Sequence, residues 1–156
     1  MLSNAQLQKI YLLSDTVLYS EAVSFIRKLV QEEGCDPLPT SQIAGLLSIA
    51  EATRYDELHR FVLHQRDRNW PPSKRDIKTF YTVLEEVLSV MQRKRLKDEF
   101  HLMPDMQGRS VSEVRQEIDE LLARLAHEFI QHLVAENGVL AVQKAEERMK
   151  QRMNRR

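Results

Sequence analysis

The chain has 156 residues, enough for one domain with at most a small appendage, and its 23 Lys/Arg are matched by 23 Asp/Glu. Hydrophobic residues make up 42% of it, sufficient for a continuous core, yet no apolar run approaches the roughly 18 residues of a membrane span. The single cysteine, Cys35, excludes an intramolecular disulfide, and the lack of a leader-like or spanning segment points to a soluble, cytoplasmic protein without membrane contact.

Glycine and proline are scarce, while Leu, Glu, Arg, Ala, Gln and Lys dominate, so the expected fold class is all-α, a bundle of five or six helices. The first helix opens at Ser3, with Gln6 completing a capping-box pattern. Its apolar residues, from Leu7 and Ile10 to Leu29 and Val30, recur at three and four. A polar patch at Ser14-Asp15 leaves open whether this segment is one helix or two. Gly34 ends it, and Asp36-Pro37-Leu38-Pro39 reads as an extended linker.

Thr40 or Ser41 caps a second helix running to about Thr53, with Ile43, Leu46, Leu47 and Ala50 on one face. A third helix covers about Asp56 to Gln65 and is broken by Asn69-Trp70-Pro71-Pro72. Ser73, with Asp76 three residues later, suggests the cap of a long fourth helix that ends in the basic run Arg93-Lys94-Arg95, where cations suit the helix dipole. Ser110 with Glu113 starts a fifth helix, which Asn137-Gly138 interrupts. A last helix, apolar only at its start, follows. The expected organisation is a helical bundle over 1–136 and a C-terminal charged helix or tail over 137–156.

Net neutrality hides a strong segregation of charge. Residues 54–97 hold eleven Lys/Arg against six Asp/Glu, residues 98–147 four against eleven, and the last nine residues five against none. Such alternation suits a subunit that grips a polyanion on one face and neighbouring protein on another.

Catalytic and metal chemistry find no support in the spacing. His59 and His64, like His127 and His132, are five residues apart, which places the side chains roughly 140° apart on a helix and prevents them from sharing an ion. No nucleophile-elbow, Walker or dinucleotide pattern occurs, and adjacent acidic pairs such as Glu85-Glu86 fall on different helix faces. No catalytic residue, metal or cofactor is assigned.

The segment HRFVLHQRDRNWPPSKRDIK is different in kind. Arg60, His64, Arg66, Arg68, Trp70, Lys74, Arg75 and Lys78 lie on both sides of one helix–helix turn. Guanidinium forks bind phosphate bidentately, amide protons at a helix start add partial positive charge, and an exposed Trp stacks on an unpaired base. The competing reading is a solvated turn in which Asp67 and Asp76 neutralise charge and Trp70 plugs the core. A helix-turn-helix over Ser41 to Phe61 is less favoured, because Asp56 and Glu57 would face the DNA.

The segment PTSQIAGLLSIAEA, with Thr40-Ser41-Gln42-Ile43 opening the second helix, resembles the T-[ST]-Q-I start found in the small helical subunit of type III CRISPR effector complexes. The resemblance covers roughly residues 5–100, and the acidic fifth helix and basic tail lie beyond it. It implies a non-catalytic helical bundle whose copies stack and help hold crRNA or target RNA through basic surface residues. Arg60, Arg66, Arg68, Lys74, Arg75 and Lys78 correspond by location and charge.

The expectation is therefore a non-enzymatic RNA-binding subunit of a ribonucleoprotein. Its partners are crRNA or target RNA and neighbouring protein subunits, with head-to-tail self-association possible. The alternatives are a helical protein–protein adaptor or oligomeric scaffold, and a DNA-binding regulator.

Overall fold

The computed structural model describes residues 1–52 and 54–155. Thr53, where the sequence places the end of the second helix, and Arg156, one of the tail's basic residues, lie outside the described residues. Among the described residues there are no strands, and the helices form five rods joined into one all-α bundle. No helix among them is long and apolar enough to cross a membrane.

The first rod spans 4–32. It contains α1 (Asn4–Leu13) and α2 (Tyr19–Arg27), joined by a wide π-type turn at Ser14–Leu18 and extended by a second at Lys28–Glu32. The capping box forms as expected: Ser3 Oγ accepts from the Gln6 amide at 3.1 Å, and Gln6 Oε1 accepts from the Ser3 amide at 2.8 Å. The polar patch at Ser14 widens the rod without dividing it. Ser14 is buried, and its hydroxyl turns inward to Glu128 Oε2 at 3.1 Å and His132 Nε2 at 2.8 Å. Gly34, at φ +75°, ends the rod in the left-handed region.

α3 (Thr40–Ala52) and α4 (Tyr55–Asp67) follow. The residue before α4, Arg54, supplies no side-chain cap. Asp119 caps it from another helix, accepting from the Tyr55 amide at 3.1 Å and the Asp56 amide at 3.2 Å. A single 3₁₀ turn, Pro72–Lys74, leads into α5 (Arg75–Val90), which continues through wide turns over Met91–Glu99. Ser73 does not cap this helix. The turn is closed by the Lys74 amide on the Pro71 carbonyl at 2.8 Å, and the Asp76 carboxylate serves the Asp36 amide at 2.8 Å.

The last rod is α6 (Val111–Asn154), capped by Ser110 Oγ on the Glu113 amide at 3.2 Å. It is the spine of the molecule, packed against α2, α3 and α4. Leu121, Leu125, Phe129 and Leu133 line its inner face, and Phe25 meets Phe80 and Phe129 edge-on at 5.3 and 6.1 Å. Each such ring contributes about 1.5–3 kcal/mol by leaving water.

The expected interruption at Asn137-Gly138 does not occur, so the boundary at 136/137 falls inside one unbroken helix. Tertiary bonds override the local signal. Glu136 holds Arg27 at 3.1 Å, Asn137 is buried against Leu38, and Leu140 rejoins the core. Beyond Leu140 the helix leaves the bundle, and from Ala141 to Arg155 every side chain except Lys144 is exposed.

Gly138 keeps its helical cost without a packing reason, since among the described residues nothing beyond its own stretch of helix lies within 4 Å of where a Cβ would stand. Gly138→Ala is expected to raise stability by about 0.5–1 kcal/mol, read as a higher urea midpoint at unchanged m.

Candidate nucleic-acid interface

α4 and α5 pack side by side and are joined by the tight corner at 68–74, which brings the sequence-predicted basic residues to one end and one flank of the bundle. Of the site residues, Arg66, Lys78 and Trp70 have partners within the protein. Arg66 spans two carboxylates, with Nε and Nη2 on Asp67 at 2.9 and 3.2 Å and Nη1 facing Glu85 Oε2 at 3.4 Å. The Asp67 hydrogen bond raises the guanidinium pKa, and the same bond lowers that of the Asp67 carboxyl. Lys78 Nζ donates to the Arg66 carbonyl at 2.7 Å. Trp70 is half-buried against the core, and its indole Nε1 donates to the Gln65 carbonyl at 2.7 Å.

The others are open. Arg60, His64, Arg68, Lys74 and Arg75 are exposed, and among the described residues none of them forms an ion pair. Arg60 and His64 are spaced at four and so share one face of α4, and Arg68 follows as the first residue past its end. Arg66 leaves the same helix on a different side, which is why it reaches Glu85 on α5. Lys74 and Arg75 continue the open set across the corner. Arg68 lies over the Trp70 ring at 4.6 Å, so that face of the indole is covered by a guanidinium and is closed to a base.

Glu85 anchors this corner from beneath. It accepts from Ser89 Oγ at 2.6 Å and meets His59 Nε2 at 3.2 Å, and the Ser89 bond, ahead of His59 and Arg66, lowers its pKa. His59 and His132 thus both have local polar partners. Among the described residues no three His, Cys, Asp or Glu side chains come together to hold a metal ion. A concavity of about 760 Å³ lies by the start of α1 between Leu2, Leu7, Ala50 and Ala123, where His127 Nε2 is buried without a partner among the described residues.

Two further cations reach the basic end. Asp36 Oδ1 accepts from Lys144 Nζ at 3.2 Å and Arg148 Nη2 at 3.5 Å, and Lys144 also donates to the Cys35 carbonyl at 3.3 Å. The Asp36 amide is held by Asp76 on α5, and Asp36, Asp76 and Lys74 line one groove of about 360 Å³. The tail of α6 and the α4–α5 corner are therefore neighbours, a proximity that sequence spacing does not reveal.

No family model, curated protein or solved structure matches the chain.

Proposed function

We propose that this protein is a non-enzymatic RNA-binding subunit of a ribonucleoprotein, of the kind its sequence resembles, the small subunit of a type III CRISPR effector complex. The surface formed by Arg60, His64, Arg68, Lys74 and Arg75 neutralises backbone phosphates without reading bases. The observation that carries this reading is the set of exposed cations along α4 and across the corner that form no ion pair among the described residues, beside Arg66, which two carboxylates already neutralise.

The test is the combined reversal Arg68→Glu, Lys74→Glu and Arg75→Glu, with labelled single-stranded RNA followed by fluorescence anisotropy across a salt series. The expected result is weaker binding and a salt slope reduced by about 2, since each phosphate contact on a single strand contributes about 0.7. Unchanged affinity and slope would reject the site. Arg66 is left alone because reversing it would place a third acid beside Asp67 and Glu85.

The adaptor reading is favoured by one observation, the exposure of Tyr11, Leu12 and Tyr19 on the flank of the first rod. An adaptor would show only weak RNA binding that vanishes at moderate salt.

A further inference from the structure

Lys144, Arg148, Arg152 and Arg155 recur at four, four and three, so they share one face of α6. The start of that face is turned toward the basic end of the bundle, because Lys144 and Arg148 both reach Asp36. Val142, Met149 and Met153 occupy the opposite face. From Lys144 to Arg155 the rise is about 16 Å, close to the axial length of about five nucleotides of one stacked strand.

Asp36 is the second observation. Its carboxylate stands where two cations from the tail converge, in the place a phosphate oxygen would take. It is 65% exposed, so these are solvent-screened pairs that hold little stability and exchange readily. Its backbone is fixed separately, through the amide bond to Asp76, so the side chain can let go without moving the loop. Asp36 and Lys74 border the same groove, so the loop that meets the tail through Asp36 also meets the α4–α5 corner.

We propose that the basic face of the α6 tail is a second phosphate-binding track for single-stranded RNA, continuous with Lys74 and Arg75, and that Asp36 is a displaceable carboxylate occupying its first two cations when no RNA is bound. The inference rests on the RNA-binding role of the corner and extends it to residues outside the α4–α5 segment. Asp36 then sets affinity by competition. RNA must displace it from Lys144 and Arg148, and doing so releases both to phosphate.

The experiment uses the full chain and labelled oligouridine in a salt series, with three variants of unchanged far-UV dichroism and thermal midpoint. These are Arg148→Glu/Arg152→Glu/Arg155→Glu in the tail, Asp36→Asn, and the corner reversal described above. The tail variant should bind about tenfold or more weakly at low salt, with the slope reduced by about 2. Asp36→Asn should bind several-fold more tightly with a steeper slope. If the tail variant matches wild type while the corner variant loses binding, the inference is overturned and the corner reading stands. If wild type does not bind, both fall. Asp36→Asn with wild-type affinity and slope overturns the carboxylate's role. Retention on phosphatidylserine vesicles that the tail variant loses, with RNA affinity kept, would assign the tail to a lipid surface and also overturn the proposal.

Discussion

Replacing Arg95 with methionine is expected to lower stability by about 2–3 kcal/mol, although the substitution keeps the apolar stem of the side chain. Arg95 makes two forked ion pairs. Nη1 and Nη2 each reach Glu21 at 2.7 Å, and Nε and Nη2 reach Glu99 at 2.6 and 2.8 Å. Its guanidinium also lies 4.6 Å over the Phe100 ring, and only 11% of the side chain is exposed. Removing it unpairs two carboxylates and uncovers the groove floored by Phe25, Val87 and Phe129. The loss falls short of the roughly 3–5 kcal/mol of a fully buried pair, because Glu21 and Glu99 retain access to water. Urea denaturation checks it, and a difference under about 0.5 kcal/mol would mean the forks behave as ordinary surface pairs.

Acid should narrow that difference. The Arg95 hydrogen bond holds the Glu99 carboxyl below its ordinary 4.5. A carboxyl depressed by folding contributes stability that is complete above its unfolded pKa and is lost as pH falls through its folded value. Wild type therefore loses this contribution below about pH 4.5, while the methionine variant has none to lose. The two unfolding midpoints should converge as the solution is acidified. A constant gap would place the stabilisation in the Phe100 stack and the apolar stem.

Arg95 also shows where a sequence reading stops. Arg93-Lys94-Arg95 reads as a basic run at a helix end, three equivalent cations facing a dipole. Arg93 and Lys94 are exposed, whereas Arg95 is turned inward onto α2, and only knowing that α2 lies alongside separates it from its neighbours. Several local signals were legible, though the Ser73–Asp76 spacing did not yield a cap. The Ser3–Gln6 box, the Gly34 stop and the Ser110 cap form as their spacing predicts. They were illegible wherever the partner is remote: Asp119 caps α4 from α6, Asp76 serves Asp36 in place of its own helix, and Asn137 bonds to Leu38. The interface divides in the same way. Composition located the basic corner, but which cations stay open depends on Glu85 standing behind Arg66, and the approach of Lys144 and Arg148 depends on an extended linker passing beneath the tail.

Asn137→Ala is expected to cost about 2–4 kcal/mol, more than an alanine placed in a helix should ever cost by propensity. Asn137 is 4% exposed, and its amide pairs with the backbone of Leu38 in both directions, accepting from the Leu38 amide at 2.8 Å and donating to its carbonyl at 3.1 Å. A side-chain amide has the donor and acceptor of a peptide group, so Asn137 satisfies the extended linker as a neighbouring strand would. Alanine improves the local helix by a few tenths of a kcal/mol and leaves two buried backbone groups without partners, each worth about 1–3 kcal/mol. Asn137→Asp should recover the amide bond and set a carboxylate against the Leu38 carbonyl, so it falls no better than midway. Urea unfolding gives the magnitudes, and hydrogen exchange at the Leu38 amide gives the mechanism: fast in the alanine variant, slow in wild type. A stability loss under about 1 kcal/mol with Leu38 still protected would show that water or a neighbouring group replaces the amide, and that the helix passes through Asn137-Gly138 for reasons other than this bond.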